Sequence, residues 1–109
     1  SGYVIDTHTA VAVSALEQYQ QETGDQTPAL VVSTASPFKF ADSVLTALGC
    51  EVPAGEFDCL RKLSEVSRLP VPDGLAQLEQ LPVRFEGAVR PQEMEHALLR
   101  ALHTMDESM

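Results

Sequence analysis

Two short stretches concentrate side chains able to do chemistry. The first is Asp6-Thr7-His8-Thr9-Ala10, which sets a carboxylate, two hydroxyls and an imidazole side by side. Asp6 and Thr7 are both good N-cap types, so the cluster sits where a helix begins. A helix N-terminus offers free N–H groups and a partial positive charge, which suits an anion. The plainer reading is a capped helix with a half-buried histidine, and spacing alone favours it. The second stretch is Ser33-Thr34-Ala35-Ser36-Pro37-Phe38-Lys39-Phe40. It continues Ala29-Leu30-Val31-Val32-Ser33, an apolar run rich in β-branched residues that reads as a strand buried on both faces. In open α/β sheets ligands bind at the carboxyl ends of strands, so the hydroxyls of Ser33, Thr34 and Ser36 would face a cofactor or a phosphate. Lys39 falls in the first turn of the next helix, where a cation opposes the helix dipole and hints at an anionic partner. Against this stands a Ser36 that only caps and a Lys39 that only reaches solvent. The residues by themselves leave these two readings level.

The elements that must position both clusters follow from periodicity. Residues 2–6 are a short strand or an extended lead-in. A helix is expected from His8 to about Glu22, apolar on every side at Ala10-Val11-Ala12-Val13 and therefore buried all round there. Thr23 to Pro28 is a turn. Ser36-Pro37 is an N-cap followed by a residue suited to the first helical position, and Ala41, Val44, Leu45 and Leu48 form one apolar stripe that Gly49 ends. Residues 6–49 thus read as a helix–strand–helix unit of α/β type. Beyond residue 50 the pattern changes. Phe57, Leu60, Leu63 and Val66 predict a helix over about 56–68. Pro70 and Pro72 break the chain, and Asp73 caps a short helix carrying Leu75, Leu78 and Leu81. Val83-Arg84-Phe85 reads as an edge strand. Pro91 opens a final helix with Met94, Leu98, Ala101 and Met105 on one stripe.

Composition narrows the function classes. The chain has 109 residues, 44% hydrophobic and 21% charged, which suits one domain with a modest core rather than a disordered segment. No apolar run approaches the roughly 20 residues of a membrane helix, and Gly2-Tyr3-Val4-Ile5 has no basic region of the signal-peptide kind. The net charge of −9, from 16 acidic and 7 basic residues, argues against a nucleic-acid partner. Cys50 and Cys59 lack the spacing and extra ligands of a zinc site and read as free thiols in a reducing cytoplasm. His96 and His103 share a helix face at a spacing unsuited to a metal. There is no glycine-rich phosphate loop. Lys39 and Lys62 are the only lysines, and neither has a Schiff-base setting.

Gly2 to Ala12 and Ser33 to Phe40 resemble the last two motifs of threonine synthases, of the forms D-x-H-T-A-V and S-T-A-[HS]-P-x-K-F. Their order and separation agree with the family. The resemblance is strong over residues 2–49 and weaker through Leu69–Leu81 and Val83-Arg84-Phe85. It implies a pyridoxal 5'-phosphate enzyme with the fold of tryptophan synthase β and threonine deaminase, converting O-phospho-L-homoserine and water to L-threonine and phosphate in the cytoplasm. Residues 1–49 would belong to the catalytic domain and residues 50–109 to a helical C-terminal wrapping of it. The cofactor lysine and phosphate loop lie upstream in full-length members, so the resemblance is to the last fifth to quarter of one. It implies that this chain alone is inactive and that the remainder of a parent chain is its partner. Thr34 carries over as the hydroxyl facing the pyridine nitrogen, with Ser33 beside it. A hydroxyl, unlike a carboxylate, does not force that nitrogen to stay protonated, which moderates the electron sink. Asp6, His8, Thr9, Ser36 and Lys39 become candidates for substrate or phosphate contact. Position 36 is serine where many members have histidine. Two other readings accompany this one: a related β-replacing lyase, and a threonine-synthase-like binding protein without turnover. An independent interaction module suits the motifs least.

Overall fold

The computed structural model describes residues 2–84 and 86–106, with side chains as far as residue 103. Its helices are α1 (Thr7–Thr23), α2 (Ala41–Ala47), α3 (Glu56–Ser67), α4 (Asp73–Ala76) and α5 (Met94–Asp106). Three 3-10 turns adjoin them: Pro37–Phe40 leads into α2, Gln77–Gln80 follows α4, and Pro91–Glu93 leads into α5.

Local chemistry explains where these helices begin and end. Asp6 is the N-cap of α1, in extended backbone, with its side chain accepting from the N–H groups of His8 and Thr9. Gly24 closes α1 at φ +70°, a left-handed conformation that costs glycine little, and its N–H returns to the Gln20 carbonyl at 2.9 Å. Ser36 caps the Pro37–Phe40 turn by accepting from the Phe38 N–H at 3.3 Å, with Pro37 at the first helical position. Asp73 lies in the first turn of α4 rather than capping it. Pro72 holds the cap position, and no side chain caps that helix.

The core forms where α2 packs on α3. Phe38, Ala41, Val44 and Leu45 meet Cys59 and Leu63, and Val4, Leu60, Leu69, Val71 and Leu75 close around them. Leu45 and Leu63 are wholly buried. The expected α2 stripe therefore turns inward over Ala41, Val44 and Leu45, while Leu48 stays exposed. On α3, Leu63 is buried beside Cys59, Phe57 and Leu60 are half-buried, and Val66 is exposed. Arg61 braces this layer from outside by pairing with Asp58 at 2.7 Å and Glu79 at 2.9 Å.

Several expectations require correction. The strand at Ala29–Ser33 does not form, and no strand occurs among the described residues, so the α/β helix–strand–helix unit becomes two helical segments joined by extended chain. A strand buried on both faces needs flanking strands for its N–H and C=O groups. None lies beside this segment, and Leu30 is 90% exposed. Nor is α1 buried all round: Ala10, Val11 and Ala12 are exposed, because no described residue covers that part of the helix. Val83 and Arg84 are likewise irregular and exposed, while Phe85 and the side chain of Met105 lie outside the described residues. The α5 stripe keeps its helical register, but Met94 and Leu98 remain exposed. The radius of gyration is 20.0 Å, against about 13 Å for a compact domain of this length. Uncovered apolar segments and an extended shape are the same fact seen twice.

The packing predicts unequal costs for two leucines. Leu63→Ala should lower the stability of the chain by about 2–5 kcal/mol. Leu30→Ala should change it by less than about 0.5 kcal/mol. Urea unfolding followed by circular dichroism measures both.

Candidate functional site

The two chemical stretches meet at the start of α1. Asp6 is 2% exposed although its side chain is a carboxylate. One of its oxygens, Oδ1, accepts from the Thr9 N–H at 3.2 Å and from the Thr9 hydroxyl in a short contact. The other, Oδ2, accepts from the His8 N–H at 3.1 Å and lies 3.2 Å from the ring nitrogen Nδ1 of His8. These donors hold the Asp6 carboxyl below the ordinary aspartate range. The Thr9 hydroxyl is the largest cause, burial acts against it, and the Thr9 and His8 N–H groups and the His8 ring add to it.

From Asp6 the network reaches the second motif. The Thr9 hydroxyl oxygen lies 2.9 Å from the Ser33 hydroxyl, across 24 positions of sequence. A hydroxyl has one hydrogen to donate. Thr9 gives its hydrogen to Asp6, so Ser33 must donate to Thr9. The chain of donation runs from Ser33 through Thr9 to Asp6, and Ser33 is left with lone pairs that can only accept from a ligand. Thr9 itself is 7% exposed and serves the linkage rather than an incoming molecule.

A second bridge is aromatic. The His8 imidazole lies 5.8 Å from the Phe40 ring, centroid to centroid, at 45°. Lys39 Nζ stands 5.6 Å from the centroid of the same ring, a cation–π distance. The His8 side chain is 73% exposed, so its far edge faces solvent. Lys39 and Phe40 also edge an open groove of about 580 Å³ walled by Phe38, Phe57, Leu60 and Leu75. The Cys59 thiol in that wall donates to the Pro53 carbonyl at 3.3 Å, and burial pushes its titration up, so it is no nucleophile.

The structure thus separates the seven sequence candidates. Asp6, Thr9 and Ser33 form one hydrogen-bonded line, and His8 joins it through Asp6. Thr34 is exposed, and its hydroxyl has no partner among the described residues. The Ser36 hydroxyl is taken up as a cap, and Lys39 is drawn to Phe40. Reading the sequence assigned Phe40 no role. An aromatic next to Lys39 was visible, but its tilted contact with His8 was not.

The donor set can be compared with the needs of pyridoxal phosphate: an amine, a phosphate cradle and a partner for the ring nitrogen. Thr34 offers the third as a free hydroxyl. Lys39 is paired with Phe40, Lys62 stands on α3 outside both motifs, and no phosphate loop is present in the sequence. Of these three needs the described residues offer only the hydroxyl.

Residues 9–97 match the family described as "Threonine synthase, C-terminal". The chain therefore belongs to the threonine synthase C-terminal family. It is also similar to mouse "Threonine synthase-like 1", with 38% identity over 73 residues, or 66% of this chain and 9% of that protein. The chain thus spans a small part of the length of that curated relative. No solved structure matches. The family match begins at Thr9, so the place of Asp6 and His8 in the site rests on their geometry.

The buried carboxylate gives the chain a specific acid sensitivity. A carboxyl whose folded pKa is depressed adds stability that is fully present above the ordinary aspartate value, near 3.9. That stability is lost as pH falls through the lower folded value. Asp6→Asn should therefore flatten the acid limb of the stability curve, measured as urea midpoints between neutral and strongly acidic pH. Thr9→Val should cost about 1–3 kcal/mol by taking a donor from a buried carboxylate, and Thr9→Ser should restore most of it.

Proposed function

We propose that this chain is the C-terminal part of a threonine synthase that converts O-phospho-L-homoserine and water to L-threonine and phosphate with pyridoxal 5'-phosphate. The observation that carries the reading is the joining of the two motifs by the Thr9–Ser33 hydrogen bond and the His8–Phe40 contact, which leaves Thr34 free beside the junction. The family membership supports it. When bound, the cofactor supplies an electron sink for bonds made and broken along the substrate side chain. Thr34 would hold its hydroxyl at the ring nitrogen and so limit how strongly that nitrogen is protonated. His8 and Lys39 would line the side from which an anionic substrate approaches.

The lysine that carries the cofactor would come from the remainder of the parent chain, whose docking would also cover Val11, Leu30 and Val32. The 109 residues alone are then expected not to hold the cofactor covalently. Both cysteines stand free, and no helix of the described residues is long and apolar enough to cross a membrane. Free thiols suit a reducing compartment, and the cytoplasm is the location this reading carries.

A second reading is favoured by the "-like" in the relative's name: a protein that binds cofactor or phosphate without turnover. Threonine and phosphate release from O-phospho-L-homoserine, assayed on the intact protein, separates the two. In that protein Thr34→Val should lower turnover roughly tenfold, the worth of one net hydrogen bond in the reacting complex, with unfolding unchanged. Unchanged turnover would remove Thr34 from the site.

A further inference from the structure

The pairing of Asp6 with His8 has a chemical consequence that rests on the proposed function and goes further. Asp6 is an ionised carboxylate, with only acceptor positions, facing Nδ1 at 3.2 Å. Nδ1 must then carry the ring proton, and in the neutral ring the lone pair resides on Nε2. A carboxylate behind an imidazole fixes its tautomer, orients it and stabilises the imidazolium that forms when Nε2 takes a proton. Every part of that arrangement is present. The carboxylate is almost wholly buried and held by backbone and Thr9 donors, the ring rests on Phe40, and its outer edge is open.

We propose that His8 is the proton-transfer group of this site and that Asp6 is its positioning residue. Asp6 is too deeply buried and too fully engaged to touch a substrate itself. The proposed reaction moves protons. Over one turnover the bond from Cγ to the phosphate oxygen breaks with its electron pair leaving on phosphate, a Cβ–H bond breaks while a Cγ–H bond forms, and a water O–H bond breaks, its hydroxyl ending on Cβ and its proton on the phosphate, which leaves as hydrogen phosphate. Nε2 can take that proton with its lone pair and give it up again, so no oxidant, reductant or further reactant is required. The charged neighbours facing His8 are Asp6 from the N-terminal side and Lys39, which reaches the Phe40 ring. Lys39 would draw the phosphate.

Long-range nitrogen–proton NMR on the chain reads the tautomer directly. His8 should show the proton on Nδ1 at alkaline pH. In Asp6→Asn an amide N–H can face Nδ1 instead, and the proton should move to Nε2. An Nε2–H tautomer in the unaltered chain would overturn the assignment. In the intact protein, His8→Gln should lower turnover by about 100-fold or more and remove one limb of its pH profile. Because His8 is largely exposed, this variant stays folded even where Asp6→Asn does not. Unchanged turnover and profile in His8→Gln, with turnover lowered in Thr34→Val, would remove His8 and leave the proposed function standing. No threonine from the unaltered intact protein would overturn both.

Discussion

The carboxylate of Asp6 is the constraint around which the N-terminal half of the chain is arranged. Removing a carboxylate from water is costly unless donors replace the lost hydration. Here they come from the first turn of α1 and from two of its side chains, His8 and Thr9. Satisfying one buried charge therefore starts the helix, aligns a histidine and fixes a threonine hydroxyl whose remaining capacity is to accept from Ser33. Among the described residues no buried side-chain polar atom lacks a partner. A single electrostatic requirement thus converts two separate stretches of sequence into one surface.

The helical core performs a different task. Leu45 and Leu63 join α2 to α3, and the Pro37–Phe40 turn is anchored to that pair through buried Phe38. Its neighbours Lys39 and Phe40 are thereby held at the surface, where Phe40 receives His8. The site is supported from one side by packing and from the other by hydrogen bonds. The core is small, and the exposed faces of α1 and α5 add nothing to it.

What could be read from the sequence was what is local. Asp6 as a cap, Ser36-Pro37 as a helix start, Gly24 within a turn and the inward face of α2 depend on residues within one or two helical turns. Those expectations hold. The Ala29–Ser33 strand did not form because its pattern reports an environment, flanking strands, that the described residues do not contain. The same holds for the apolar start of α1. The site was legible as two motifs but not as a circuit. Nothing at positions 9 and 33 announces that their hydroxyls meet, since that contact depends on how the intervening chain folds back. Nor did the sequence distinguish Asp6, a buried support, from His8, an exposed tip, because both stand in one motif.

The central claim is that the two motifs act as one unit through Thr9 and Ser33. A double-mutant cycle measures it most directly. Thr9→Val, Ser33→Ala and the double variant would be unfolded in urea at neutral pH. The hydrogen bond predicts a coupling free energy of about 0.5–1.5 kcal/mol. Strictly additive losses would contradict it, and would mean that the two stretches lie side by side without being joined.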